Sequence, residues 1–183
     1  MLAAEEVRRI LNDAEEVCSE QQVNLAVRRL AAEIRVALAD RYPLVLSVMG
    51  GAVVFTGQLL PQLHFPLDFD TIHVSRYGNK TQGGELHWVV KPKANVANRV
   101  VLVLDDILDE GHTLAAIRKM VLEMGATECL SAVFADKAIG KTKPIKPDFV
   151  GLEVPNRFVF GFGMDAHGAW RNLPSIYAMK DPV

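Results

Sequence analysis

One stretch constrains this chain more than any other: Val100-Val101-Leu102-Val103-Leu104-Asp105-Asp106-Ile107-Leu108-Asp109-Glu110-Gly111-His112-Thr113-Leu114. Its five leading aliphatic residues predict a strand buried on both faces, which emerges at a polar edge where Asp105 and Asp106 begin. Asp109 to Thr113 reads as a short polar turn containing Gly111. Leu114, Ile117, Val121 and Met124 then recur at helical spacing until Gly125 supplies a stop. A turn at a helix start presents backbone N–H groups at the positive end of the helix dipole, which suits a phosphate, and Gly111 lets the backbone approach closely. The Asp105 and Asp106 carboxylates repel a bare phosphate, so they call for hydroxyl donors of a sugar or a hard cation such as Mg²⁺. A phosphorylated sugar meets both demands.

A chain of 183 residues, 50% of them hydrophobic, suits one domain with room for a small appended lobe. Its formal net charge of −2, without a strong basic run, gives no electrostatic reason to expect a nucleic-acid partner. Cys18 and Cys129 lie far apart, Cys129 within an expected core strand, which favours reduced thiols and an intracellular, cytoplasmic compartment. Glu5, Glu6, Arg8 and Arg9 interrupt the N-terminal segment, so it lacks the apolar stretch of a signal peptide. No run approaches the ~18–20 apolar residues of a membrane span, so no membrane association is expected. The histidines fall at no zinc-ligand spacing with a Cys or acid partner.

Residues 3 to about 15 read as helix, and Ser19 with Gln22 forms the pattern of a capping box ahead of the stripe Val23, Val27, Leu30, Ile34 and Leu38. Tyr42-Pro43 breaks that helix, Leu44 to Val48 reads as a core strand, and Met49-Gly50-Gly51 leads into a helix from Ala52 to Leu60. Paired glycines between strand and helix permit close approach to an anion, yet glycines also occur at such turns for steric reasons alone. Leu67 to Val74 alternates as a strand with one solvated face. Arg76 to about residue 87 is polar and glycine-rich, the signature of a mobile loop, with a strand from Glu85 to Val90. Leu130 to Ala135 is a buried strand ending in Asp136-Lys137, and a lysine at such an end is ordinarily a solvated charge. Lys141 to Pro147 reads as a basic surface loop, and Phe149-Leu152 and Phe158-Phe162 as short aromatic strands.

The central stretch resembles the phosphoribosyl-pyrophosphate signature of the type I phosphoribosyltransferases: four apolar residues, two acids, two apolar residues, an acid, then x-Gly-x-Thr. Pro147-Asp148-Phe149-Val150-Gly151 and Phe158-Val159 resemble the hypoxanthine-guanine branch of that family. The resemblance runs from about Val17 to Tyr177 and implies an α/β fold, a mostly parallel sheet flanked by helices. It also implies one phosphoribosyltransferase domain over residues 1–183, with a core at about 40–145 and a small hood from about 1–20 and 148–183. The implied reaction transfers the 5-phosphoribosyl group from phosphoribosyl pyrophosphate to hypoxanthine or guanine, a purine-salvage step.

In that resemblance Asp105 and Asp106 hold the ribose hydroxyls and, with Asp165, the metal Mg²⁺. Glu110, Gly111, His112 and Thr113 hold the 5-phosphate, and Met49, Gly50, Gly51 and Arg171 the pyrophosphate. Asp109 is the catalytic base, Lys137 donates to the 6-oxo group, Phe158 stacks on the purine, Val159 offers backbone groups, and Asp165 serves the base edge or metal. Tyr77 belongs to a lid that excludes water. Three departures from the family pattern are visible: Met49 where Lys or Arg is usual, Arg76 where Ser is usual, and Ala166 to Trp170 in place of a Tyr-rich stretch. The family implies a homodimer or homotetramer. Two other readings of the same fold remain, a xanthine-preferring transferase and a non-catalytic regulator that senses nucleotides or the sugar donor. A signalling receiver domain also pairs aspartates after a buried strand with a later lysine, but after its first strand, whereas the pair here lies past residue 100.

Overall fold

A computed structural model describes residues 2–76 and 86–180 of the chain. Six strands form the main sheet: β2 (Leu44–Val48), β3 (Asp68–Arg76), β4 (Leu86–Val90), β5 (Val100–Leu108), β6 (Glu128–Lys137) and β7 (Phe149–Val154), in the order β4-β3-β2-β5-β6-β7. Every neighbouring pair is parallel except β3 with β4. The fold is therefore α/β with a mostly parallel sheet, as the sequence implies.

Alternation along each strand divides the core into two layers, because successive side chains point to opposite faces. Val45, Leu102, Leu104, Ala132 and Phe134 face helices α2 (Glu20–Leu38) and α3 (Val53–Leu59). Leu44, Leu46, Val101, Val103 and Val133 face helix α4 (His112–Glu123) through its Leu114, Ile117 and Val121. With both faces covered, the central strands read as continuous apolar runs instead of alternating ones. Helix α2 begins where its capping box predicts: the Ser19 backbone N–H donates to Gln22 Oε1 at 2.8 Å, and the Gln22 N–H donates to Ser19 Oγ at 3.4 Å. The predicted stripe Val23, Val27, Leu30, Ile34 and Leu38 is buried.

Strand β5 continues past the point where the sequence suggests it ends. It carries Asp105 to Leu108 in strand geometry because β6 runs alongside, with Asp105 opposite Val133, Ile107 opposite Ala135 and Leu108 opposite Asp136. The N-terminal helix α1 stops at Asp13 (Ala4–Asp13), and Glu15–Cys18 forms a short strand, β1, that the helical reading of this region missed. A second, antiparallel sheet joins the two ends of the chain in the order β1-β9-β8, where β8 is Val159–Phe160 and β9 is Ile176–Ala178. Phe149–Val154, which the sequence reading groups with the terminal hood, is instead the edge strand of the main sheet, held by five register pairs to β6.

The small sheet is fastened to the large one by aromatic packing. The Phe134 ring on β6 lies 4.2 Å from the Phe162 ring and 5.3 Å from the Phe55 ring on α3, and all three are fully buried. Trp170 Nε1 donates to the Val7 carbonyl at 2.8 Å, tying α1 to the same region. Phe134→Ala should therefore lower stability by about 3–5 kcal/mol, the usual cost of emptying a buried aromatic site. Denaturant unfolding monitored by circular dichroism measures this, and a loss below about 1 kcal/mol would show that the ring is not the joint between the sheets.

Candidate active site

The site lies at the carboxyl ends of β5 and β6, where an open parallel sheet binds ligands. Asp105 is 8% exposed and Asp106 partly buried. Asp109 and Glu110 are exposed in the turn that follows, and Gly111 precedes α4 with φ +83°, a left-handed conformation that favours glycine. No side chain caps this helix start. The amide-rich start of α4 has the polarity that suits a phosphate.

Burial pushes the Asp105 carboxyl well above the usual carboxylate range, and the Asp106 charge beside it pushes the same way. Burial raises Asp106 as well, opposed by hydrogen bonds from Asp105 and the Ile107 backbone and by the charge of Arg171. The Asp106 N–H donates to Asp105 Oδ1 at 3.0 Å and the Ile107 N–H to Asp106 Oδ1 at 2.9 Å, which fixes both carboxylates.

The loop after β2 closes directly against this pair. A Cβ on Gly51 would sit 1.8 Å from Asp106 Oδ2, and one on Gly163, which has φ +101°, would sit 2.0 Å from the Gly51 carbonyl oxygen. Two glycines thus let three chain segments stack. Arg171 binds the outer layer, donating from Nη1 to the Gly163 carbonyl at 2.7 Å and pairing from Nη2 with Asp165 Oδ1 at 2.6 Å. Asp165 Oδ2 accepts from the Gly168 N–H at 2.7 Å. Met49 and Gly50 share the loop, with Met49 N–H on the Ile72 carbonyl at 2.8 Å and open space around Gly50.

At the other end of the site Lys137 Nζ lies 2.6 Å from Asp109 Oδ2, with the lysine side chain 13% exposed and the aspartate 52% exposed. Lys137 is therefore no solvated surface charge. Phe158 is half exposed while the adjoining Val159 is buried, which leaves one aromatic face open beside a fixed backbone. Tyr77 and the loop at 77–85 fall outside the described residues. Asp165 faces Arg171, and among the described residues no group of three His, Cys, Asp or Glu side chains stands ready to hold a metal. Two residues escaped the sequence reading: Gly163, unremarkable until its backbone meets Gly51, and Lys143, assigned to a surface loop but only 11% exposed. No sequence signal marks either one.

A parallel sheet with an acid pair, a glycine turn and a helix start at one strand end is an arrangement that suits a phosphorylated sugar. The family model described as phosphoribosyl transferase domain matches residues 13–167. The hypoxanthine-guanine phosphoribosyltransferase of Bacillus subtilis is 35% identical over 174 residues, 94% of this chain and 97% of that one. The enzyme of that name from Streptococcus mutans is 32% identical over 166 residues, 90% of this chain and 92% of its relative. Among solved structures, a hypoxanthine-guanine-xanthine phosphoribosyltransferase superposes with TM-score 0.84 at 31% identity, covering 93% of this chain and 99% of that one. The chain belongs to the hypoxanthine-guanine phosphoribosyltransferase family.

The raised carboxyls make a prediction about the ligand-free protein. A carboxyl whose folded pKa lies above its unfolded value favours the folded state below the ordinary carboxylate pKa of about 3.9, and that advantage is lost as pH rises through the folded pKa. Asp105→Asn mimics the protonated form, so it should raise the melting temperature at pH 8, with the gain fading as pH falls toward about 4. The rise should be a few degrees, about 2–4 °C per kcal/mol for a chain of this size. Thermal melts across that pH range without divalent cations check it, and an unchanged or lowered midpoint at pH 8 would mean that the pair is unstrained.

Proposed function

We propose that the chain transfers the 5-phosphoribosyl group of phosphoribosyl pyrophosphate to hypoxanthine or guanine, forming the nucleoside monophosphate and pyrophosphate. The observation that carries this reading is the meeting of Asp109 and Lys137, from separate strand ends, at 2.6 Å beside the acid pair. An acceptor and a donor brought side by side suit the proton and the 6-oxo oxygen on one edge of a 6-oxopurine.

The roles that the family resemblance implies are supported by where the residues lie. The turn from Glu110 to Thr113 receives the 5-phosphate at the start of α4. Asp105 and Asp106 accept hydrogen bonds from the ribose hydroxyls, and their negative charge lies near the positive charge that develops on the sugar as the bond to pyrophosphate breaks. The backbone of Gly50 and Gly51 borders the pyrophosphate position. Arg171, bound to Gly163 against that loop, supplies the side-chain cation that Met49 does not. As the bond from the anomeric carbon to the purine ring nitrogen forms, the ring's proton passes to Asp109. Phe158 provides the flat apolar support for the base and Val159 its backbone groups.

Two adjacent carboxylates are hard oxygen donors, and Mg²⁺ commonly binds one or two of these together with substrate phosphates. Asp105 and Asp106 would hold the ion, which when bound neutralises charge on the departing pyrophosphate. The same reading includes self-association as a homodimer or homotetramer and residence in the cytoplasm. Two buried thiols support a reducing compartment, the Cys129 thiol pushed up to about 12 by burial. No helix among the described residues is long and apolar enough to cross a membrane.

The direct test is pyrophosphate release from the donor and Mg²⁺ with hypoxanthine, guanine, xanthine or adenine supplied separately. Release with hypoxanthine and guanine but not adenine is expected, because the Lys137 ammonium would face an amino group on adenine and lose its acceptor. Release with xanthine alone would favour a xanthine-preferring transferase of the same fold. Binding of the donor without release would make the chain a sensor. Asp109→Asn should lower kcat by roughly 10²–10⁴-fold, the usual contribution of a general base, while donor affinity stays near normal. Near-normal turnover in that variant would remove Asp109 from the role.

A further inference from the structure

We infer that Lys143 is a positioning residue that sets the spacing between Asp109 and Lys137, and so the register in which the purine edge is read. The inference rests on the function proposed above. Lys143 lies in a loop that reads as surface, yet its side chain is only 11% exposed and its ammonium is directed inward. Nζ donates to the Leu108 carbonyl at 2.8 Å, to the Lys137 carbonyl at 2.7 Å and to Asp136 Oδ1 at 2.5 Å. An ammonium has three N–H donors, and all three are used.

The location of these acceptors gives the contact its meaning. The register between β5 and β6 ends at Leu108 opposite Asp136. Beyond that pair no ladder hydrogen bond fixes Asp109, which leaves β5 for the turn, relative to Lys137. Lys143 occupies the place of the next rung, joining the carbonyl immediately before Asp109 to the carbonyl of Lys137 itself. The direct ion pair between Asp109 and Lys137 cannot perform this service during the reaction, because a purine edge that engages both side chains replaces their contact with each other. A backbone cross-link holds the spacing after the side chains have parted. The Lys143 stem also borders the phosphate turn, its Cβ 3.4 Å from where a Gly111 Cβ would stand.

Lys143→Met tests this while preserving the stem against Gly111. In the full chain with saturating donor and Mg²⁺, kcat/KM for hypoxanthine and guanine should fall tenfold or more, with KM for the base rising. The dissociation constant for phosphoribosyl pyrophosphate, measured by calorimetry without purine, should stay within twofold. Hydrogen exchange should quicken in peptides covering 107–111 and 136–140 and stay unchanged in β2. Lys143→Arg keeps the charge and can reach both carbonyls, so it should fall between wild type and Met. If Lys143→Met melts below the assay temperature, the same split between purine KM and donor affinity in Lys143→Arg carries the test. Purine kinetics within twofold of wild type in the folded variant, or donor affinity weakened as much as purine use, would overturn the positioning role. Wild-type inactivity with every purine would instead overturn the function proposed above, and unchanged exchange in both peptides would overturn the cross-link regardless of activity.

Discussion

The structure depends on burying two carboxylates side by side at the end of β5. Charged groups removed from water disfavour folding unless paired or neutralised, and like charges in contact add repulsion. The chain accepts this because β5 is held on both sides by parallel partners and on both faces by packed helices, so the sheet cannot relax to release Asp105. The ligand-free protein thus holds two carboxyls in surroundings that favour their neutral forms. Under the proposed function, bound sugar hydroxyls would satisfy those oxygens and a bound cation would offset their charge, so ligand binding would stabilise the arrangement that burial disfavours.

Around the pair the fold uses backbone in preference to side chains. Gly51 lies against Asp106 and Gly163 lies against Gly51, so the loop after β2 and the turn beside the small sheet reach the acid as bare main chain. Any Cβ at either position would push the segments apart. Arg171 then joins the layers electrically, since its guanidinium binds the Gly163 carbonyl and Asp165 and its charge opposes the rise that burial imposes on the Asp106 carboxyl. Elements distant in sequence are thereby coupled at one point.

The parts of this arrangement that were legible in the sequence are the local ones. The run from Val100 to Thr113 states strand, acids, turn and helix within fifteen residues, and each step depends on neighbours only. The Ser19 and Gln22 cap is equally local. Roles for Asp109, Lys137, Phe158 and Arg171 came from family resemblance, because alone each is an ordinary charge or aromatic. The short strands β1 and β9 were illegible for a physical reason: a strand of three or four residues has no periodicity to detect, and their pairing joins segments that lie far apart in sequence. Strand β5 outran its apolar segment because β6 supplied hydrogen-bonding partners whatever the side chains were. Lys143 and Gly163 act through contacts to carbonyl groups, which no residue pattern encodes.

The pairing of Asp109 with Lys137 shows how a site can be both satisfied when empty and available when needed. Each group would otherwise face a polar cleft without a fixed partner, free to adopt rotamers useless for binding. Paired, they hold each other in the positions that a purine edge would occupy. Asp109 is half exposed, so water can solvate its carboxylate when the pair opens, whereas the Lys137 ammonium, 13% exposed, needs a new acceptor in its place, which the 6-oxo group of an incoming base would supply. A deeply buried pair would have been far harder to open. Under the proposed function, the exposure of Asp109 lets a purine replace the ion pair from the open side, provided that the backbone beneath does not move when it goes.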